Sequence, residues 1–227
     1  MYKTVLLDAD NTLFDFDRSQ REALRLTFAS RGYPYNPETV ALYDRINKEL
    51  WSALARGETT QEKLTVERFA RFIRLLGGAD DPAAMNRDYL DCLGEQSFPT
   101  EGAEEVCREL SAHCRLALVT NGVTSVQKAR LASSPLARFF GKDVYISQEL
   151  GVSKPQRAYF DLVLEKMGIS DRPGVLMVGD SLETDIAGGA AAGLDTCWFN
   201  PGAAARGGAE PTYEIRILKE LNNLVIS

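Results

Sequence analysis

The chain has 227 residues, and its 26 lysines and arginines against 32 aspartates and glutamates give a formal charge of −6. Apolar residues make up 44% of the sequence, which fills the core of one large domain or of one domain with an insertion and excludes a disordered or fibrous chain. The mildly acidic balance argues against a nucleic-acid polymer as partner, because binding to a phosphate backbone needs clustered basic residues.

Membrane, disulfide and histidine-based functions are also disfavoured. The sequence has no apolar run of about 18 residues, and the opening segment reaches Asp8 before a signal-peptide core could form, so we expect a cytoplasmic protein without a membrane segment. The four cysteines show no C-x-x-C spacing, and His113 is the single histidine. Zinc sites and Ser-His-Asp triads therefore lack their usual residues, and carboxylates, lysines or hydroxyls must carry any chemistry.

The first predicted elements are strands of a parallel sheet. Strand-like apolar runs occur at about 3–8, 115–120, 144–146, 174–178 and 195–199, most of them rich in Val, Leu and Ile. None of them alternates with polar residues, which is typical of parallel strands covered on both faces. The later strands are separated by helical patterns, such as the spacing of Phe160, Val163, Leu164 and Met167. The pattern predicts an α/β fold with a doubly wound parallel sheet.

More than a hundred residues separate the first two strands, far more than a crossover helix requires. Helical periodicities fill this stretch: Ile46, Leu50 and Leu54, then Phe69, Phe72, Ile73 and Leu76. We therefore predict an inserted all-helical cap domain at 17–96 and a catalytic core formed by 1–16 and 97–227. The expected hinges are 14–17 and 97–100.

Polar residues follow directly after three of the predicted strands. Ligands of open parallel sheets bind outside the carboxyl ends of the strands, so these positions are the candidate site. They are Asp8, Asp10, Thr120, Asn121, Gly122, Asp180 and Asp185, with Lys154 between the later strands. Four converging carboxylates repel one another and require a cation, and a set of oxygen ligands without histidine or cysteine selects Mg²⁺. Hydroxyl, amide and backbone donors nearby suit phosphoryl oxygens.

Taken together, these residues resemble the motifs of the haloacid dehalogenase superfamily of phosphatases. Residues 8–12 (DADNT) resemble its nucleophile motif, 120–122 (TNG) its second motif, Lys154 its third, and 179–185 its fourth, so that the likeness spans the chain. One departure is Asn11, where many members carry glycine; asparagine also tolerates unusual backbone angles.

This resemblance implies a Mg²⁺-dependent phosphomonoester hydrolase with a covalent aspartyl-phosphate intermediate. Asp8 would be the nucleophile and Asp10 the general acid and base. The Asp8 carboxylate, the Asp10 backbone carbonyl and Asp180 would hold the metal, and Asp185 would orient Lys154 or a metal-bound water. Lys154 would stabilise the transferring phosphoryl group.

The phosphate itself is expected to contact Thr120 and Asn121 as well as Lys154. Within the superfamily, the chain is most similar to bacterial pyrimidine 5′-nucleotidases active on noncanonical nucleotides. The segments that carry this likeness are 12–17 (TLFDFD), 47–51 (NKELW) and 196–200 (TCWFN). Phe16 and Trp51 are candidates for stacking on a base, although aromatic residues in apolar helix stripes are more often part of a core.

Several alternatives remain open from the sequence. A phosphatase of small sugar phosphates or of phosphoglycolate shares the same core motifs. A 2-haloacid dehalogenase resembles the same family but needs no metal and lacks the acid at the position of Asp10. A phosphorylated signalling receiver lacks a large insertion after its first strand. A single aspartate at a strand end is often only a helix cap, whereas four ordered motifs are not. The expected partner is a small phosphomonoester, and no particular oligomeric state is predicted.

Overall fold

The computed structural model describes residues 2–205 and 207–226. Within them, six strands form one sheet in which every neighbouring pair is parallel. In chain order these strands are β1 (Thr4–Leu7), β2 (Arg115–Thr120), β3 (Val144–Ile146), β4 (Val175–Gly179), β5 (Asp195–Phe199) and β6 (Tyr213–Ile215). Their order in the sheet is β3-β2-β1-β4-β5-β6. The predicted doubly wound α/β fold is confirmed.

The sixth strand, β6, is absent from the sequence prediction. It has three residues, and only Ile215 among them is buried. Such a short, half-exposed segment produces no apolar run, so its strand conformation depends on pairing with β5.

Both faces of the sheet are covered, as β1 illustrates. Val5 and Leu7 belong to one buried cluster, whereas Leu6 between them belongs to another. Because successive strand side chains point to opposite faces, a strand covered on both sides is continuously apolar. This explains the missing alternation in the sequence.

Ten α-helices accompany the sheet in the described residues. They are α1 (Phe16–Arg31), α2 (Pro37–Ala55), α3 (Gln61–Leu75), α4 (Pro82–Gly94), α5 (Ala103–Leu110), α6 (Thr124–Ala132), α7 (Ser147–Leu150), α8 (Arg157–Met167), α9 (Ala187–Ala191) and α10 (Leu221–Val225). Turns of 3₁₀ helix occur at Pro135–Phe139, Arg172–Gly174 and Leu218–Glu220, and one π-helical turn occurs at Leu182–Ile186. None of the helices in the described part of the chain is long and apolar enough to span a membrane.

The chain forms two compact units. The sheet unit contains the residues up to Phe16, Ser97–Thr124 and the residues from Leu131 onward. The helical unit contains Asp17–Gln96 together with Ser125–Arg130 of α6. The domain boundaries expected from the sequence stay a prediction.

The helical unit has an aromatic core. Phe28 and Phe72 stack with ring centroids 4.7 Å apart, and Tyr43 lies 5.6 Å from Phe69. The buried Arg68 guanidinium lies over the Tyr89 ring at 4.5 Å. The predicted periodic positions are buried except near helix ends; Leu76, which follows α3, is 37% exposed.

The two expected hinge segments pair with each other inside the sheet unit. The backbone N–H of Asp15 donates to the Phe98 carbonyl at 2.9 Å, and that of Thr100 donates to the Leu13 carbonyl at 2.9 Å. A short antiparallel bridge joins Phe14 to Pro99. These bonds close the base of the insertion and fix where the chain leaves and re-enters the sheet unit.

Candidate active site

The candidate site lies at the carboxyl ends of the central strands. β1 pairs with β2 on one side and β4 on the other, and Leu7 is in register with Leu118 and Val178. The backbone N–H of Asp8 continues the ladder by donating to the Val178 carbonyl at 2.9 Å. This register brings the first polar residues after three strands to one edge, as a parallel sheet requires.

Lys154 lies at the centre of this edge. Its side chain is 2% exposed, and its Nζ donates to Asp8 Oδ1 at 2.5 Å and to Asp185 Oδ1 at 2.7 Å. The third donor position is used by the Val119 carbonyl at 3.0 Å. All three ammonium hydrogens therefore have acceptors, which a buried lysine requires.

The backbone around Lys154 is held by Asn121. The Asn121 side chain donates through Nδ2 to the Lys154 carbonyl at 2.8 Å and accepts through Oδ1 from the Lys154 N–H at 2.9 Å. Gly188 allows close packing nearby, since a Cβ on it would lie 2.9 Å from Pro155 Cα. These contacts position the lysine from the end of β2. The prediction that Asn121 contacts phosphate stays a prediction.

The loop after β4 carries Asp180 and Asp185. The Ser181 N–H donates to Asp185 Oδ2 at 3.1 Å, and the Asp185 N–H donates back to the Ser181 carbonyl at 3.0 Å. Gly179 leaves room for this arrangement, because a Cβ there would lie 2.1 Å from Asp185 Oδ2. Both carboxylate oxygens of Asp185 thus accept hydrogen bonds, one from Lys154 and one from its own loop.

The electrostatics of this cluster are perturbed by burial. Burial raises the pKa of Asp8 to about 7, with Lys154 lowering it and Asp185 raising it. Burial, followed by the charges of Asp8 and Asp185, also raises the pKa of Asp180 well above its ordinary value. Burial lowers the pKa of Lys154, but the charges of Asp185 and Asp8 outweigh it and the pKa is raised. Lys154 therefore stays protonated, and its single positive charge does not balance the negative charges of these acids when they are ionised.

Asp8, Asp180 and Asp185 can hold a metal ion. One oxygen from each carboxylate can be chosen so that all three lie within 4.8 Å of one another. When ionised, the three acids and Lys154 leave two negative charges, which a divalent cation would balance. Carboxylate oxygens are hard ligands and favour cations such as Mg²⁺ over soft metals. Burial is the main cause of the raised pKa values of Asp8 and Asp180, and a bound cation would favour their ionised forms, so the donor set fits such an ion.

The segment after Asp8 makes a tight turn. Asn11 has a φ of 59°, in the left-handed region, and its N–H donates to the Phe14 carbonyl at 2.7 Å. Its side-chain Oδ1 accepts from the Phe16 N–H at 3.1 Å. Asparagine therefore satisfies the backbone geometry that favours glycine and adds a bond that glycine lacks. Asp10, at the start of this turn, is half-buried, and its charge contributes to the raised pKa of Asp8.

The remaining predicted residues differ in their placement. Thr120 is buried at the end of β2, and its Oγ1 accepts from the Gly122 N–H at 3.1 Å. Phe16 begins α1 and is half-buried. Trp51 lies on α2 in the helical unit, where its Nε1 donates to Asn47 Oδ1 at 3.2 Å. A contact of Phe16 or Trp51 with a base stays a prediction.

Sequence reasoning gave no structural role to two residues that shape the site. Gly179 is one: it belongs to the predicted fourth motif, but the close approach of Asp185 to it was not foreseen. Trp198 is the other: its indole Nε1 donates to the Asp180 carbonyl at 2.8 Å. It lies in the segment 196–200 that carried the nucleotidase likeness, but nothing in the sequence pattern linked it to Asp180.

Comparison with known proteins gives matches along nearly the whole chain. The family model for haloacid dehalogenase-like hydrolases matches residues 2–193. The HAD-hydrolase YfnB of Bacillus subtilis is 37% identical over 99% of this chain and 95% of its own. A crystal structure of YfnB bound to magnesium matches with a TM-score of 0.93, covering 99% of this chain and 98% of that one.

Two further relatives are named as pyrimidine 5′-nucleotidases. YjjG of Escherichia coli is 34% identical over 97% of this chain and 96% of its own. PynA of Streptococcus pneumoniae is 32% identical over 97% of this chain and 93% of its own. The similarity to both therefore includes the helical unit as well as the sheet unit.

Proposed function

The chain belongs to the haloacid dehalogenase-like hydrolase family, and from this premise we propose that it is a Mg²⁺-dependent phosphomonoester hydrolase acting through an aspartyl phosphate on Asp8. The observation that carries the proposal is the buried cluster in which Asp8 meets Asp180, Asp185 and Lys154 at the carboxyl end of the sheet. The magnesium bound in the YfnB crystal structure supports the choice of metal.

The metal would be held by the carboxylates of Asp8 and Asp180 together with the backbone carbonyl of Asp10. Bound there, Mg²⁺ would offset the charge between the carboxylate nucleophile and the phosphate. Asp185 would act mainly on Lys154 and on the loop after β4, because both of its oxygens accept hydrogen bonds. It would thus orient the site rather than bind the metal directly.

Hydrolysis would proceed in two steps. In the first, a carboxylate oxygen of Asp8 attacks phosphorus in line, the ester P–O bond breaks, and Asp10 gives a proton to the leaving alkoxide. In the second, Asp10 takes a proton from water as the water attacks the phosphorus, and the bond between phosphorus and Asp8 breaks. Asp8 is regenerated as a carboxylate, and inorganic phosphate leaves.

Lys154 and the end of β2 would bind the phosphoryl group. The Lys154 ammonium already contacts the nucleophile, so a phosphoryl group on Asp8 would come within its reach. Thr120 and Asn121 would contribute hydroxyl and amide donors next to it. In phosphoryl transfer the protein acts mostly by positioning and charge stabilisation, which this set of groups provides.

The substrate that we propose is a pyrimidine nucleoside 5′-monophosphate. The similarity to YjjG and PynA, both named pyrimidine 5′-nucleotidases, supports this choice. The groups at the carboxyl ends of the strands would contact only the phosphate and the metal. Discrimination among leaving groups must therefore come from other residues. We assign base contact to Trp51 and Phe16.

Phosphate release from a panel of nucleoside 5′-monophosphates and sugar phosphates tests the proposal. We expect UMP, dUMP and dTMP to be hydrolysed with a higher kcat/KM than purine nucleotides or sugar phosphates, and only with Mg²⁺ present. Asp8→Asn should lower the rate by at least about a thousandfold, because an amide cannot form the acyl phosphate.

Each part of the proposal has its own contrary result. A rate that chelation leaves unchanged would exclude the metal-dependent mechanism. A sugar phosphate preferred over every nucleotide would exclude the nucleotidase but retain the phosphatase. Ready turnover by Asp8→Asn, free of deamidation and contaminating phosphatase, would remove the nucleophile assignment.

A further inference from the structure

Trp198 is a buried residue at the carboxyl end of β5, and only 4% of it is exposed. It lies opposite Gly179 in the parallel pairing of β5 with β4. From there, its indole Nε1 donates to the Asp180 carbonyl at 2.8 Å. A tryptophan in a sheet core usually needs only one acceptor for its N–H, and here that acceptor is the backbone of a proposed metal ligand.

The peptide bond between Asp180 and Ser181 is held from both ends. Its carbonyl accepts from Trp198, and its N–H donates to Asp185 Oδ2 at 3.1 Å. A peptide unit is planar, and in the trans form its C=O and N–H point in opposite directions. Two hydrogen bonds on opposite sides therefore fix the orientation of the whole plane, and with it the backbone that carries the Asp180 carboxylate.

This peptide is one link in a longer chain of hydrogen bonds. Asp185 accepts from Lys154 through its other oxygen, at 2.7 Å, and Lys154 donates to Asp8 at 2.5 Å. The chain thus runs from the indole of Trp198 through one peptide, one carboxylate and one ammonium to the nucleophile. Such chains polarise their members in a low-dielectric interior, so that removing one donor weakens the rest.

We propose that Trp198 is a positioning residue for the metal site, acting through the Asp180–Ser181 peptide plane to hold the Asp180 carboxylate in place for Mg²⁺. The inference rests on the proposed function, since it needs Asp180 as a ligand. Residues that orient a metal ligand through hydrogen bonds typically change metal affinity by 10- to 100-fold when removed. The role assigned to Trp198 is therefore measurable by metal binding alone.

Calorimetric titration of the substrate-free protein with Mg²⁺ tests this inference. Trp198→Phe removes the N–H donor and keeps an aromatic ring, and we expect the Kd for Mg²⁺ to rise about tenfold. Tyr33→Phe is the control: it removes an aromatic side-chain donor whose acceptor is Asp80 in the helical unit, and it should leave the Kd unchanged.

A second substitution separates the hydrogen bond from packing. In the Trp51→Phe protein, Trp198 is the only tryptophan and can be replaced by β-(3-benzothienyl)alanine, in which sulfur takes the place of the indole N–H. We expect a similar rise in the Kd for Mg²⁺, with the free energy of unfolding in EDTA nearly preserved. If the Kd rises in Trp198→Phe but not in the benzothienylalanine protein, the effect comes from packing and the inference is wrong. An unchanged Kd in both proteins would also overturn the inference.

Asp180→Ala distinguishes failure of the inference from failure of the proposed metal site. If Asp180→Ala weakens Mg²⁺ binding and the Trp198 substitutions do not, only the positioning role is wrong. If Asp180→Ala leaves the Kd for Mg²⁺ unchanged, Asp180 is not a ligand, and the metal site is wrong together with the inference.

Discussion

Replacing Lys154 by methionine should destabilise the protein in a pH-dependent way. The substitution keeps most of the apolar stem and removes the ammonium from two carboxylates, Asp8 and Asp185. Removing one partner of a buried ion pair costs about 3 to 5 kcal/mol, because an uncompensated charge stays behind. Lys166→Met, on the exposed side of α8, is the matched control and should change the free energy of unfolding by less than about 0.5 kcal/mol.

The pH dependence follows from the pKa of Asp8. A carboxyl whose pKa is raised in the folded protein binds its proton more tightly there, so the free energy of unfolding falls as pH rises from 3.8 to about 7. Without Lys154, which lowers this pKa, the fall should continue above pH 7. The deficit of Lys154→Met relative to the parent protein should then grow by up to about 1.4 kcal/mol per pH unit above 7.

Urea unfolding in EDTA at pH 6 and pH 8 measures this difference. The expected result is a deficit for Lys154→Met that is larger at pH 8 by about 1 kcal/mol or more. A deficit equal at both pH values would refute the coupling between Lys154 and Asp8. A deficit no larger than that of Lys166→Met would refute the assignment of Lys154 as the counter-charge of the site.

Three further substitutions probe other parts of the molecule. Gly179→Ala should displace Asp185 and lower kcat by about 100-fold. Gly202→Ala is the control: its Cβ would have open space around it, and kcat should not change. Equal kcat values for the two variants would contradict this prediction. Asn11→Ala should lower the free energy of unfolding by about 2 kcal/mol. Asn11→Gly should lower it by less, because glycine, unlike alanine, is not strained at a φ of 59°. Urea unfolding of the two variants measures the difference. Trp51→Ala should lower kcat/KM for nucleotides at least about tenfold but spare p-nitrophenyl phosphate, and equal losses would indicate packing.

The sequence predicts the sheet and the acidic site because both leave local patterns. The first five strands lack a strict alternation of polar and apolar residues, and acids directly follow β1 and β4, at the edge where the ends of parallel strands meet. Asn11 has a φ of 59°, which agrees with the expectation that asparagine at this position tolerates an unusual backbone angle. In each case the physical requirement acts on neighbouring residues, so it appears in the sequence itself.

Long-range contacts within the sheet unit were not predictable in the same way. The bond from Trp198 to Asp180 joins residues 18 apart, and the pair of bonds between Asn121 and Lys154 joins residues 33 apart. Such contacts depend on strand register and loop geometry, which periodicity does not encode. Gly179 is similar: its need for glycine arises from the Asp185 carboxylate folding back against it.

For the proposed mechanism, the charge of the site also predicts the order in which metal and phosphate bind. When ionised, Asp8, Asp180 and Asp185 exceed Lys154 by two negative charges, and a phosphate dianion about 5 Å away would be repelled by roughly 3 kcal/mol per pair of charges at an effective dielectric constant of about 20. A divalent cation would remove this barrier, so we expect the metal to bind before the phosphate. We expect calorimetry at pH 8 to detect binding of inorganic phosphate with Mg²⁺ present and none in EDTA. Equal affinity under both conditions would mean that the acids carry protons there, and that the site does not depend on a metal for its charge balance.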